Sequence, residues 1–429
     1  MASSVESAAL ALSCLLVAAM VRSAAGAGRE LDPVQGEGQG LDIGTKVPVA
    51  SFVSPEDLEK IFAKDAQTEV IEKDFSFTEG PVWVPELRDG RGALLHTDLD
   101  LNNVYEWCPD TQRGRVFFTN SGGFVEWSVG QRNSDFIFIS GNGQAIDPTE
   151  RNFLTIAQHG SFRVSKIDLG PLIKNGGALA RIDEFQTIVD NFQGVRFNSP
   201  NDVVYACNGG LYFGDPPFGR QAVFGEARTE GDARSEINDA FGFVSGVYYV
   251  PPDSHDAELI LRNVYRPNGI GISPDDSLII GQESDTSEGN LGLTFPSGRW
   301  YVAKVDPHDP KETHEILLVS EEEFAAKVDF SKAGFIDGLD ISAPNEHFPN
   351  GVLFASGPGG LYVIKVPETK DVDLSQDDAG APILAFIDTS TFAVNAHVAP
   401  DGFLYITGGA NLFRIKLADS IKPAISRCH

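Results

Sequence analysis

The sequence predicts an all-β fold, a six-bladed β-propeller with a short N-terminal helical lead-in, on three observations. A hairpin with a polar head recurs along the chain, its copies fall at a near-constant long spacing, and each copy runs into an apolar strand. The clearest copy is NSPNDVVYACNGGLYFGDPPFG, Asn198 to Gly219. There Val203-Val204-Tyr205 and Leu211-Tyr212-Phe213 are strand-forming runs, and Asn208-Gly209-Gly210 between them tolerates the positive φ of a tight hairpin.

Setting the first polar residue of each head as a common position gives Glu79 in FTEGPVWVP, Asn142 in GNGQAIDP, Asn201 in NSPND, Asn268 in RPNGIGISPD, Asp337 in FIDGLDISA and Val394 in AVNAHVAPD. They lie 63, 59, 67, 69 and 57 residues apart. Hairpins repeated at such a period indicate sheets arranged radially, with the innermost strand of each sheet along a central channel. Residues at one register therefore converge on the axis as a ring, and five of these six carry a polar oxygen. Asn, Asp and Gly also form turns readily, but Glu is a poor turn residue, so turn chemistry does not account for Glu79.

In chain order, residues 1–27 read as a signal peptide, an apolar run ending in small residues with Ala25-Gly26-Ala27 as the cleavage tract, although no Lys or Arg precedes the run. No later segment reaches the roughly 18 apolar residues of a membrane-spanning helix. The expectation is a secreted or otherwise exported protein, extracellular or periplasmic. Residues 28–68 form an N-terminal extension, Gly-rich and polar at first. In it Ser54-Pro55-Glu56-Asp57 sets a helix start, with Ser as N-cap, Pro at the first helical position and an acid three residues after the cap, the helix running to about Ala63. Residues 69–418 form the propeller, interrupted by a helix from Ser320 to Val328 with three glutamates in its first turn. Residues 419–429 form a C-terminal tail. Long polar stretches run from Arg220 to Asp239, Glu283 to Arg299 and Pro367 to Ala379. The first two follow ring-bearing hairpins and read as lids over the site, and the acidic third reads as a solvated loop.

A net charge of -28 argues against nucleic acid and anionic membrane as partners, since both would be repelled. With Cys14 in the leader, Cys108, Cys207 and Cys428 remain. That odd set permits one disulfide but no framework, and no CxxC metal pattern is present.

The runs FTEGPVW, NSPNDVV with LYFGDPPFG, RPNGIGISPD and IDGLDI, in this order and spacing, resemble the regucalcin and gluconolactonase family of calcium-dependent lactonases, the gluconolactonase branch most closely. The resemblance covers about Leu58 to Leu417 and includes the AQHGSFRV tract of the second hairpin. It implies one divalent ion on the propeller axis, held by Glu79, Asn201, Asn268 and Asp337, with Asp337 also acting as general base.

Elementary chemistry agrees on the ion. Two carboxylates and two amide carbonyls offer only hard oxygen donors, which suits calcium or another hard divalent ion; zinc or copper would call for His or Cys. Four protein ligands leave calcium short of its usual six to eight, so water and a substrate oxygen can bind beside it and a lactone carbonyl can be polarised. A carboxylate bound to a dication loses basicity, which makes His159, at the end of the second hairpin, the competing base. Asn142, at ring register, is read as contacting substrate hydroxyls or a metal-bound water, with a turn residue before Gly143 as the plain alternative, and His159 is placed with it as a substrate-binding residue. Where some family members have Arg in the third motif, this chain has Ser199 and Pro200, which leaves the sugar contacts open. His397 falls near the axis in the sixth unit, at a position that alternation turns toward packing.

Three functions follow. The first is calcium-dependent hydrolysis of a small hydroxylated lactone, an aldonolactone such as gluconolactone. The second is a broader arylesterase or lactonase of the paraoxonase type, for which Phe218, Phe224 and Phe295 would supply an aromatic wall. The third is a non-catalytic binding propeller pinned by calcium.

Overall fold

The computed structural model describes residues 41–123, 140–175, 178–179, 184–216, 218, 245–264, 266–284, 298–329, 331–332 and 334–424. The expected leader, the stretch Arg220 to Asp239, most of Glu283 to Arg299, Phe224, Phe295, Cys14 and Cys428 lie outside them.

Among the described residues six antiparallel sheets form the blades, each running outward from an inner strand. Blade one begins at Thr78–Val84 and continues through Ala93–Asp98, Asn103–Cys108 and Arg113–Thr119. Blade two runs from Gly141–Ile146 to Phe153–Gln158, Arg163–Asp168 and Phe185–Val189. Blade three runs from Val203–Tyr205 to Leu211–Gly214, Val247–Val250 and Glu258–Leu261. Blade four comprises Pro267–Ile272, Leu278–Ser284, Gly298–Lys304 and Glu315–Leu317. Blade five comprises Leu339–Ile341, Val352–Gly357, Gly360–Lys365 and Ile383–Asp388, with Val49–Ser51 added on its outer edge.

Blade six closes the circle with strands from both ends of the chain. Asn395–Val398, Phe403–Gly408 and Asn411–Lys416 supply its inner three strands, and Thr68–Lys73 pairs with the third as its fourth. Glu72 of that N-terminal strand reaches blade one, where it accepts a hydrogen bond from Gly114 N at 3.0 Å.

Because side chains alternate across each sheet and neighbouring sheets stack face to face, both faces of most strands are apolar and buried. Leu278, Ile280, Trp300 and Val302 of blade four pack with Leu339, Leu353, Tyr362 and Ile364 of blade five. Val352, Phe354 and Val363 of blade five pack in turn with Val398, Leu404 and Phe413 of blade six. The hairpin of blade three forms as its sequence dictates: Val203 pairs with Phe213, Tyr205 with Leu211, and Gly209 takes a φ of 87° in the turn between them.

The short helix Pro55–Leu58 starts at Ser54, whose side chain accepts from Asp57 N, and it ends sooner than Ala63. The helix Glu321–Lys327 is capped in the same way by Ser320, and its Phe324 packs edge-on to Trp300 at 5.0 Å. The stretch Pro367 to Ala379 differs from a solvated loop. Val372 is buried in the core between blades four and five, and Ala379 N donates to Leu317 O, so the acidic residues coat a segment anchored from beneath. Cys108 is a buried thiol against Glu106, and Cys207 is disulfide-bonded. Among the described residues no helix is long and apolar enough to cross a membrane.

Candidate functional site

Glu79, Asn142 and Asn268 stand second in the inner strands of blades one, two and four, and in each case the strand bulges there. Between Glu79 and Val82, Gly141 and Gln144, and Pro267 and Ile270, the inner strand carries one residue more than its partner. A bulge frees side chains from the regular alternation and re-aims them, and it admits Pro81 within a strand. Asn201 and Asp337 lie two residues ahead of the strands of blades three and five, and Val394 lies one ahead of that of blade six.

The next residue in each unit brings the blades into contact. Gly143 N donates to Asn201 O at 2.9 Å, Gly269 N to Asp337 O at 2.8 Å and Gly338 N to Val394 O at 2.6 Å. A Cβ on Gly80 would stand 2.2 Å from Asn142 O, and one on Gly143 would stand 2.3 Å from Asp202 Oδ1. Glycine holds four of these six positions because the inner strands converge too closely for a side chain. Asp202 and Asn395 occupy the other two. Ile270 N reaches Asp202 Oδ2 at 3.4 Å, and Asn395 Nδ2 donates to Glu79 Oε2 at 3.2 Å.

The structure thus assembles Glu79, Asn142, Asn201, Asn268 and Asp337 in one buried ring, none more than 3% exposed. His159 belongs to it too, since Asn142 Nδ2 donates to His159 Nε2 at 3.2 Å. Neighbours fix the other members. Asn268 Nδ2 donates to Ser284 Oγ at 2.9 Å, Asp337 N donates to Ser356 Oγ at 2.9 Å, and Gly80 N donates to Glu79 Oε2 at 3.0 Å. The NSPND head is held from below by Asp215, which accepts from Asn198 N at 2.9 Å and Ser199 N at 2.8 Å. The GDPP break of that hairpin is therefore a structural brace.

The electrostatics is that of carboxylates crowded together. Burial pushes the Asp337 carboxyl well above its ordinary range, and the charges of Glu79 and Asp202 push the same way, with a hydrogen bond from the Asn268 side chain opposing. Burial likewise raises Glu79 and Asp202, the latter further raised by the charge of Glu79. Asn268 Oδ1 and Asn142 Oδ1 are buried without a hydrogen-bond partner. Buried carboxylates together with buried, unbonded carbonyl oxygens make a donor set that a hard cation would satisfy. Among the described residues no group of three His, Cys, Asp or Glu is placed to hold a metal, so a ligand set here has to include the amides.

Sequence reasoning missed Asp202 and Asn395. Both follow a ring residue directly, so the available signal was a polar side chain where the other units have glycine. On the far side of the ring the channel continues as a cavity of about 390 Å³ lined by Val82, Ile146, Val203, Ile270 and Ala396. His397 lines it as well, paired with Asp340 Oδ2 at 3.3 Å, and stands apart from the ring.

Residues 77–291 match the family model SMP-30/Gluconolactonase/LRE-like region. The gluconolactonase of Zymomonas mobilis subsp. mobilis is 29% identical over 326 residues, 76% of this chain and 77% of that protein. Among solved structures, a gluconolactonase from Xanthomonas campestris superposes with a TM-score of 0.58 at 21% identity, covering 88% of this chain and 99% of that one. A luciferin-regenerating enzyme superposes with a TM-score of 0.54 at 13% identity, covering 83% and 97%. At these identities the two structures speak for the fold.

Proposed function

Because the chain belongs to the SMP-30/Gluconolactonase/LRE-like family and is a lactone hydrolase, we propose that it opens small hydroxylated lactones, aldonolactones such as gluconolactone, with the help of one divalent cation. The observation that carries this reading is the ring itself: two buried carboxylates and buried amide oxygens without partners on the propeller axis. Glu79, Asn201, Asn268 and Asp337 would hold the cation, and the all-oxygen donor set favours calcium. When bound, such an ion supplies a Lewis acid for the lactone carbonyl.

The chain's own groups supply the rest. Asp337 takes a proton from the attacking water as the water oxygen bonds to the carbonyl carbon. The ring C–O bond then breaks, and the proton passes to the departing oxygen to give the open hydroxy acid. His159 is the weaker base, because its Nε2 already accepts from Asn142. Asn142 Oδ1 is left to accept from a substrate hydroxyl, which orients the sugar.

The test is a lactone and aryl-ester panel followed in a pH-stat, with chelated and calcium-reloaded protein and with melting temperature recorded in parallel. Chelation should abolish hydrolysis and lower the melting temperature, and calcium should restore both. Full activity in protein shown metal-free by elemental analysis would overturn the reading. Export of the protein is proposed on its apolar leader, and a mature N-terminus between Ala25 and Arg29 is the expected result of terminal sequencing.

A further inference from the structure

A second concavity, of about 610 Å³, opens beside blade two and is lined by Ser161, Arg163, Asp190, Asn191 and Arg196. It adjoins the strand end that leads to the ring. Gln158 and His159 are consecutive, and Gln158 Oε1 accepts from Arg163 Nε at 2.7 Å while His159 contacts Asn142. The turn that follows is closed by Phe162 N donating to His159 O at 3.3 Å, and Ser161 on that turn faces the concavity.

Its chemistry is cationic. Arg163 Nη1 donates to Thr187 Oγ1 at 2.8 Å, and Arg163 Nη2 is buried with no partner. Arg196 lies over the Phe162 ring at 4.3 Å and gives one donor to Ser161 O at 3.1 Å, which leaves further donors of its fork uncommitted. Burial lowers the Arg163 guanidinium, and the charge of Arg196 pushes it the same way. Asp190 attracts both across space but accepts from Asn191 Nδ2 and forms no ion pair with either. A half-buried guanidinium with an unpartnered buried Nη2 and an exposed one held over an aromatic ring, with no ion pair to either among the described residues, form an arrangement that an anion with paired oxygens would complement. A chain of net charge -28 repels anions at long range, so a local pair of arginine forks is what an anionic substrate would need in order to be selected.

We propose that this concavity is the anion subsite of the lactonase, taking a carboxylate or phosphate carried by the substrate at the end remote from the scissile ester, so that the preferred substrates are lactones of sugar diacids or sugar phosphates. The proposal rests on the lactone-hydrolase reading and deepens it. The turn from His159 to Phe162 links the two places, running from a neighbour of the ring to Ser161 on the lining of the concavity.

The test compares kcat/KM for gluconolactone, glucarolactone and 6-phosphogluconolactone in the wild type, Arg163→Gln, Arg163→Lys and Arg196→Gln. Calorimetric binding of glucarate, gluconate and inorganic phosphate to the same calcium-loaded proteins provides a second readout. In the wild type an anionic lactone should outrun the neutral one. The ratio of anionic to neutral kcat/KM should fall roughly 10- to 100-fold in Arg163→Gln. Arg163→Lys should recover only part, since an ammonium lacks the fork. Which anionic lactone is favoured tells carboxylate from phosphate. An unchanged ratio in both Gln variants, with arginine-independent glucarate binding, overturns the subsite while leaving the lactonase reading intact. Absence of any lactone turnover, with glucarate binding still lost in Arg163→Gln, overturns the lactonase reading and leaves the subsite standing.

Discussion

Asn395 Nδ2 donates to Glu79 Oε2 across 3.2 Å, a hydrogen bond between residues 316 positions apart that ties the inner strand of the last blade to the first ring carboxylate. A donor behind a ligating carboxylate orients it and keeps it ionised. Asn395→Ala is expected to weaken calcium binding by about 10- to 100-fold in a chelator-competition titration. If the bond served packing alone, the variant would melt earlier in chelator and bind calcium as before.

Asp337→Asn separates ligand from base. It keeps an oxygen donor but removes the charge and the proton acceptor, so kcat should fall by about 10²- to 10⁴-fold even at calcium concentrations that refill the site. Asn201→Asp is the control. It adds negative charge, tightens calcium binding and weakens the pull on the lactone carbonyl, for a smaller loss of rate. Recovery of most of the kcat of Asp337→Asn at high calcium would show that Asp337 is only a ligand, and a changed pH-rate profile in His159→Gln would then identify the base.

The fold and most of the ring were legible in the sequence because both are periodic. A hairpin that recurs with Glu79, Asn142, Asn201, Asn268 and Asp337 at one register announces radial sheets and a shared axis at the same time. What was illegible is what depends on closure. Asn395 stands one residue beyond that register, and only the arrival of blade six beside blade one gives it Glu79 as a partner. Asp202 reads as part of a turn until the neighbouring Gly143 is seen to make room for its carboxylate. The anchoring of Pro367 to Ala379 was hidden for a similar reason, since its acidic composition outweighs the single buried Val372.

Gly80→Ala tests the convergence of the inner strands. The added Cβ would meet the backbone oxygen of Asn142 at 2.2 Å, and Gly80 has a φ of +50°. No rotation of a flexible side chain relieves that contact, so about 1–3 kcal/mol of stability should be lost in urea unfolding, together with calcium affinity. Gly194→Ala, also at positive φ but with nothing within 4 Å, isolates the cost of backbone strain from that of the clash.

Glu72 gives a pH dependence independent of the ring. Burial raises its carboxyl from 4.5 to about 7, against the opposing hydrogen bond from Gly114 N, and its Oε2 is buried without a partner. Between those two values the folded protein holds a proton that the unfolded chain has released, so stability falls as pH rises through that window. Above pH 7 the full penalty, roughly 3 kcal/mol as an upper figure, is in force. Glu72→Gln should therefore be more stable than the wild type at pH 8 and indistinguishable from it below pH 4.5, as read by urea midpoints across the range.

The pairing of Thr68–Lys73 with Asn411–Lys416 has a consequence for how the protein is made. The fourth strand of the last sheet leaves the ribosome among the first segments, and the three strands it must join come out among the last. Five sheets can fold as they emerge, while the early strand, paired locally only with Lys46–Val47, waits for its partner in the last sheet for nearly the whole of synthesis. Glu79 gains Asn395 only at that final closure, so the ring of polar side chains proposed to hold the cation is complete only when the last sheet is in place.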